Sequence, residues 1–201
     1  MTSRHSEYRK KRNTEQSGEP SGKQSVNKKG NNRFVIQKHD ARQLHYDFRL
    51  EVDGTLKSWA VPKGPSTDTS EKRLAIEVED HPLDYADFEG VIPKGEYGAG
   101  TVMVWDRGSY RNLRGQGDDQ RTMKESHADG QIEVWLTGSK LKGGYVLKRF
   151  RKGRQPQWLL IKMDDDEADA RRKPTTTENE SVMTGRDLNA IAEQASEDGD
   201  D

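Results

Sequence analysis

Polar and apolar residues alternate along His45-Tyr46-Asp47-Phe48-Arg49-Leu50. In an extended strand over residues 44–52, Leu44, Tyr46, Phe48 and Leu50 share one face, and His45, Asp47 and Arg49 share the other. Chemistry would then be mounted on the back of a core. The pair Asp53-Gly54 follows as a type I′ hairpin signal, and residues 55–61 return with Leu56 and Trp59 as packing residues. Short β-branched or aromatic runs recur at 34–38, 73–79, 101–105, 131–136, 144–150 and 157–163. Eight strands and no long helix predict an all-β protein. Closure removes exposed edges and fills the interior with alternate side chains, so a compact β-barrel of about eight strands, with disordered or extended tails, is preferred to a sandwich.

Turn residues separate these runs: Pro62-Lys63-Gly64-Pro65-Ser66, then 90–100 and 108–119. Gly95-x-x-Gly98-x-Gly100 has the wrong spacing for a dinucleotide fingerprint and no helix pattern after it, so it reads as a turn. The polar stretch 114–130 reads as a surface excursion, and no internal repeat is evident.

Composition limits how much of the chain can pack. Only 29% of residues are hydrophobic against 34% charged, and the mean hydropathy is −1.15. The expected organisation is a basic, partly disordered arm at 1–32, a barrel at 33–163, and a disordered acidic tail at 164–201. Residues 1–33 carry nine Lys/Arg against three Asp/Glu, and residues 164–201 carry four against thirteen. Tyr8-Arg9-Lys10-Lys11-Arg12 can meet nucleic-acid phosphates by counterion release. Within the tail, a short helix around 187–194 would put Leu188, Ile191 and Ala195 on one side. The absence of cysteine removes disulfides and thiolate metal sites. No apolar run approaches the roughly 20 residues of a membrane span, and no hydrophobic signal segment opens the chain, so a soluble, monomeric, cytoplasmic protein is expected.

Three of five histidines fall between Arg33 and Tyr85. Singly, His39 and His45 are ordinary surface or hydrogen-bonded residues. A sharp turn through Asp40-Ala41-Arg42-Gln43 would bring them together, and with Asp47 they become a set of metal-ligand type, suited to manganese, zinc or iron. Arg49, two residues on, suits an anionic oxygen beside such a metal. His81 precedes Pro82, which favours an extended backbone there, so it can project from a barrel rim into the same pocket. His5 and His127 lie in polar stretches and receive no role. The spacing alone also admits a two-histidine, one-carboxylate iron site of an oxygenase on a β-barrel.

Longer blocks narrow the choice. Arg33-Phe34-Val35-Ile36-Gln37-Lys38-His39-Asp40-Ala41-Arg42, His45-Tyr46-Asp47-Phe48-Arg49-Leu50, Trp59-Ala60-Val61-Pro62-Lys63-Gly64-Pro65 and Glu79-Asp80-His81-Pro82-Leu83-Asp84-Tyr85 resemble the 3′-phosphoesterase domain of bacterial ligase D proteins. The likeness continues through Phe88-Glu89-Gly90-Val91-Ile92-Pro93, Gly95-Glu96-Tyr97-Gly98-Ala99-Gly100 and Trp105-Asp106, and more loosely to Trp158-Leu159-Leu160-Ile161-Lys162. No ligase or polymerase region is seen, so the resemblance is to a stand-alone form. It implies a manganese-dependent enzyme of DNA 3′ ends that removes a terminal ribonucleotide and then a 3′-phosphate, leaving a 3′-hydroxyl. A separate DNA ligase and a Ku end-binding protein are the partners it brings to mind.

By position, the resemblance implies His39, His45 and Asp47 as metal ligands, and Arg49 and His81 as groups around the scissile phosphate. Gln37, Arg73 and Tyr85 match further active-site positions. The family's basic segment runs roughly Tyr-Arg-x-Lys-Arg-Asp, whereas this chain ends it in Asn13. Arg12 and Glu19 remain expected contributors, chiefly to ribonucleotide removal, and that step is the one Asn13 puts in question. The expected chemistry is in-line attack by water on a phosphate held by Arg49 and His81, with His81 alternatively protonating the leaving oxygen. A module that binds DNA ends without catalysis is the remaining alternative.

Overall fold

Asp53 and Gly54 both take positive φ, 51° and 77°, in the computed structural model, as the hairpin signal requires. The structure describes residues 5–12, 14–22, 32–117 and 120–197. Its strands are β1 (Arg33–Asp40), β2 (Leu44–Val52), β3 (Thr55–Val61), β4 (Lys72–His81), β5 (Gly90–Ile92), β6 (Gly100–Asn112), β7 (Gln131–Gly138), β8 (Lys142–Arg151) and β9 (Gln157–Lys162). All pairings are antiparallel. The order β1-β2-β3-β4-β9-β8-β7-β6 closes through β1–β6 into an eight-stranded barrel, and β5 is added beside β6. Closure and strand number thus follow the expectation, with β5 as the addition. Around the barrel lie helices α1 (Ser6–Lys11), α2 (Thr14–Ser17), α3 (Met123–Asp129), α4 (Pro174–Thr177) and α5 (Leu188–Glu197), and a 3₁₀ turn at Leu83–Asp87.

The alternation in β2 sorts side chains between two cores. Tyr46, Phe48 and Leu50 enter the interior with Phe34, Trp59 and Trp105. On the outside, Val35 and Val104 pack with Tyr8, Leu56, Tyr85 and Ala86. That second layer buries the polar face of β1 and β2. Leu44, expected on the core face, is instead 46% exposed. It pairs with Asp40 at the turn end of the hairpin, beyond the filled interior.

Two stretches expected to be loose are packed. The acidic segment 164–197 does not behave as a disordered tail: Ile191 on α5 is buried in the main core, with Leu188 against it. Trp105 Nε1 donates to the Glu178 carbonyl at 2.6 Å, and Lys140 Nζ donates to the same carbonyl at 2.9 Å. A few apolar residues at helical spacing and a well-used backbone outweigh the segment's acidity. The stretch 114–130 likewise carries α3, opened by a capping box between Thr122 and Glu125. His127 on α3 lies 2.7 Å from Glu77 Oε1 and stacks on Trp158 at 5.6 Å, so it belongs to the packing. The described part of the basic arm also folds, with Tyr8 and Glu19 buried. Among the described residues no helix is long and apolar enough to cross a membrane.

Candidate active site

Register makes the site. Val35 pairs with Arg49, Gln37 with Asp47, and His39 with His45, so three cross-strand pairs form one ladder on the outer face of β1 and β2. The short turn between the strands brings the two imidazoles to 4.8 Å between ring centroids. His39 Nε2 lies 2.8 Å from the Gly98 carbonyl, and His45 Nδ1 lies 3.0 Å from the Gln43 carbonyl. A carbonyl oxygen only accepts, so these nitrogens carry the hydrogens and each neutral ring keeps its lone pair on the other nitrogen. Gly98 takes φ 81°, a conformation glycine reaches without strain, within the turn that offers its carbonyl.

The free nitrogens face one carboxylate. His39 Nδ1 and His45 Nε2 lie 3.7 Å and 3.6 Å from Asp47 Oδ2, too long for hydrogen bonds and within the span of two metal–ligand bonds of about 2 Å each. Burial opposes ionisation of Asp47, but Arg49 and then the two histidines outweigh it and hold its pKa well below the usual carboxylate range. Two lone pairs and an anion converging in a sheltered place could hold a cation. The donor atoms lie within 4.8 Å of one another, and outward N–H groups tied to carbonyls are the usual support of metal-binding histidines.

Arg49 is 2% exposed and braced on several sides. Its Nε donates to Gln37 Oε1 and its Nη1 to Ser58 Oγ, both at 2.8 Å. Its Nη2 lies 3.3 Å from Asp47 Oδ2, and its Cζ lies 4.9 Å from the Tyr85 ring centroid. Gln37 in turn donates to the carbonyls of Tyr85 and Phe88 at 3.0 and 2.9 Å.

His81 sits at the end of a barrel strand and lines the same cleft. It is the last residue of β4, paired with Leu56, and faces the same outer wall. Its Nδ1 donates to the Glu79 carbonyl at 2.9 Å, and its Nε2 accepts from Arg12 Nη2 at 3.1 Å. Burial, then Arg49 and Arg12, push its pKa well below the ordinary histidine value. His81 is therefore a neutral acceptor.

The arm reaches the site through one arginine. Arg12 Nη1 donates to Glu79 Oε1 at 2.7 Å and its Nε to Glu19 Oε1 at 3.0 Å, and Tyr85 donates its hydroxyl to the same Glu19 oxygen at 3.0 Å. A cleft of about 240 Å³ joins these parts, lined by His39, His45, Asp47, Arg49 and His81 with Arg12 and Tyr85. Gln37 and Glu19 stand behind it as braces. Arg73 is not brought here: it pairs with Glu71 at 2.6 Å and lines a second cavity with Lys63. Asn13 lies outside the described residues.

Sequence reading missed Glu79, Tyr97 and Gly98, which complete the cleft. Glu79 precedes His81 by two residues, where the β3–β4 register shifts between Leu56 and Ser58, so a bulge rather than plain alternation sets how they face the cleft. The sequence marks Gly98 only as part of a turn. Its carbonyl is what orients His39.

A family model for the DNA ligase D 3′-phosphoesterase domain matches residues 37–149, more than half of the chain. The chain belongs to this family. Among its relatives, the multifunctional non-homologous end joining protein LigD of Pseudomonas aeruginosa is 56% identical over 164 residues, 81% of this chain and 19% of that protein. The protein of the same name from Mycolicibacterium smegmatis is 45% identical over 159 residues, 79% of this chain and 20% of the relative. The multifunctional non-homologous end joining DNA repair protein LigD of Mycobacterium tuberculosis is 45% identical over 156 residues, 78% of this chain and 19% of the relative. The chain spans about a fifth of the length of those relatives.

Proposed function

We propose that this protein is a metal-dependent phosphoesterase of DNA 3′ ends. It hydrolyses a terminal 3′-phosphate and removes a 3′-terminal ribonucleotide, leaving the 3′-hydroxyl that a ligase needs. The observation that carries this reading is the convergence of His39, His45 and Asp47 on one point beside the buried Arg49. The divalent cation they would hold, manganese by the family resemblance, supplies charge neutralisation at the phosphate and acidifies water.

The chain's own groups do the positioning. With Nε and Nη1 committed to Gln37 and Ser58, Arg49 keeps Nη2 for both Asp47 and a phosphate oxygen, and a fixed guanidinium needs no reorganisation as charge develops there. Neutral His81 has a lone pair and no proton at Nε2, which favours a role in orienting Arg12 or accepting a proton over protonation of the leaving oxygen. Arg12 and Glu19 bring the arm to the cleft, in keeping with a part in ribonucleotide removal.

The relatives are non-homologous end joining proteins by name, which supports that process as the setting, in which a DNA ligase seals the product and a Ku protein holds the ends. Such a substrate places the reaction with the bacterial chromosome in the cytoplasm.

The test is a duplex primer ending in a 3′-phosphate, and another ending in one 3′-ribonucleotide, incubated with each divalent ion in turn. Phosphate release with manganese is expected, together with its loss in His45→Ala and Asp47→Ala. Near-normal turnover by either variant would overturn the assignment. Ferrous-dependent oxygen uptake without phosphate release would favour an oxygenase, and metal-dependent binding without product would favour an end-binding module.

A further inference from the structure

Tyr97 stands on the wall of the cleft with 47% of its surface exposed. Among the described residues the other exposed large hydrophobic side chains are Leu44, Leu74 and Phe150. Its position is fixed by its neighbours. Glu96 N donates to the Pro93 carbonyl and Ala99 N to the Glu96 carbonyl, both at 3.2 Å, and the next residue, Gly98, holds His39. Arg12 Cζ and Lys11 Nζ lie 5.0 and 5.1 Å from its ring centroid, and both cations are held by Glu79. The ring is a π surface one residue from the brace on His39, with two cations about 5 Å from its centroid and nearly half of its surface open to solvent.

We propose that Tyr97 is a stacking platform for the nucleobase at the 3′ end of the strand, and that it sets the distance at which the terminal phosphate meets Arg49. The inference rests on the 3′-end reading above and deepens it. A phosphate bound between a cation site and Arg49 leaves its nucleoside to be placed. A base needs an aromatic face, and Tyr97 supplies one together with flanking positive charge for the backbone. Since every base has a π face, such a platform predicts tolerance of base identity and dependence on a base being present. The residue is a positioning residue, because the bond to phosphorus breaks elsewhere.

The experiment compares wild type, Tyr97→Phe and Tyr97→Leu on two 3′-phosphate oligonucleotides, one with a normal terminal base and one abasic at that nucleotide. Leucine keeps bulk in the turn and removes the π face. For Tyr97→Leu, KM on the base-bearing strand should rise about tenfold, the scale of one stacking contact. Its kinetics on the abasic strand should match wild type, and Tyr97→Phe should match wild type on both. A second readout needs no turnover: with the terminal base replaced by 2-aminopurine and metal removed by chelator, binding should quench fluorescence for wild type and Tyr97→Phe but not for Tyr97→Leu. Equal impairment of Tyr97→Leu on both strands would mean that Tyr97 acts only through Arg12 and Lys11, and would overturn the platform. Equal quenching by all three proteins would overturn it too. If wild type released phosphate from neither strand, the phosphoesterase reading would fail by itself, while the fluorescence would still decide the role of Tyr97.

Discussion

Arg49 Nε donates to Gln37 Oε1 at 2.8 Å, so the guanidinium beside Asp47 is aimed in part by a neutral amide from the neighbouring strand. Replacing Gln37 by Leu strands that donor and the carbonyls of Tyr85 and Phe88 in buried surroundings. The cost should be about 1–3 kcal/mol of stability in urea unfolding. Phosphate release should fall at least about tenfold through misaimed Arg49, while manganese affinity stays within about twofold because no ligand is touched.

Proton and metal compete at His45. Burial disfavours its charged form, but the Asp47 carboxylate opposite outweighs this and raises its pKa above 6.5. Metal binding must displace that proton, so affinity should fall as pH drops through the raised value. Calorimetry near pH 7 in buffers of different ionisation enthalpy should show proton release on manganese binding. An affinity flat across about pH 6 to 8 would contradict the ligand assignment.

Glu79 clips the arm to the barrel through Lys11 and Arg12. Burial alone would raise its pKa, yet Arg12 and Lys11 outweigh it and hold the value below 4.5. A depressed carboxylate contributes stability that is complete above the ordinary pKa and is lost as pH falls through the folded one. Acid should therefore loosen the arm, and Glu79→Gln should loosen it at neutral pH. Breaking a buried pair costs about 3–5 kcal/mol, so trypsin should cleave after Arg9 to Arg12 at least about tenfold faster in the variant.

Ile191 tests whether the acidic segment is structural. It is buried in the main core from a helix in a segment of net negative charge. Ile191→Ala should cost about 2–5 kcal/mol in global unfolding. A tail without packing would give no change.

The barrel and the ladder were legible because strand periodicity and a two-residue turn are local signals: Asp53-Gly54 and residues 45–50 needed nothing distant to be read. The fate of residues 164–197 was not, since Ile191 packs only once β6 and its neighbours exist to receive it. Composition therefore pointed the wrong way. Within the site, His39, His45 and Asp47 follow from pattern, and Gln37 from family position. Arg73 carried a family expectation that the geometry does not support, its partner being Glu71 in the next cavity. Tyr97 escaped notice because nothing in a glycine-rich turn marks one ring as the exposed one.

The hairpin joining β1 to β2 has one further consequence. Both cores and the cation site depend on the same pairing of Phe34 with Leu50 and His39 with His45. One residue added between Ala41 and Arg42 would slip the second strand by a single step. Tyr46 and Phe48 would then face the arm, and His45 and Asp47 the tryptophans inside. Chain length in that loop is under the same constraint as the ligands themselves, so this loop, although on the surface, is a place where insertions should be lethal to folding and chemistry together.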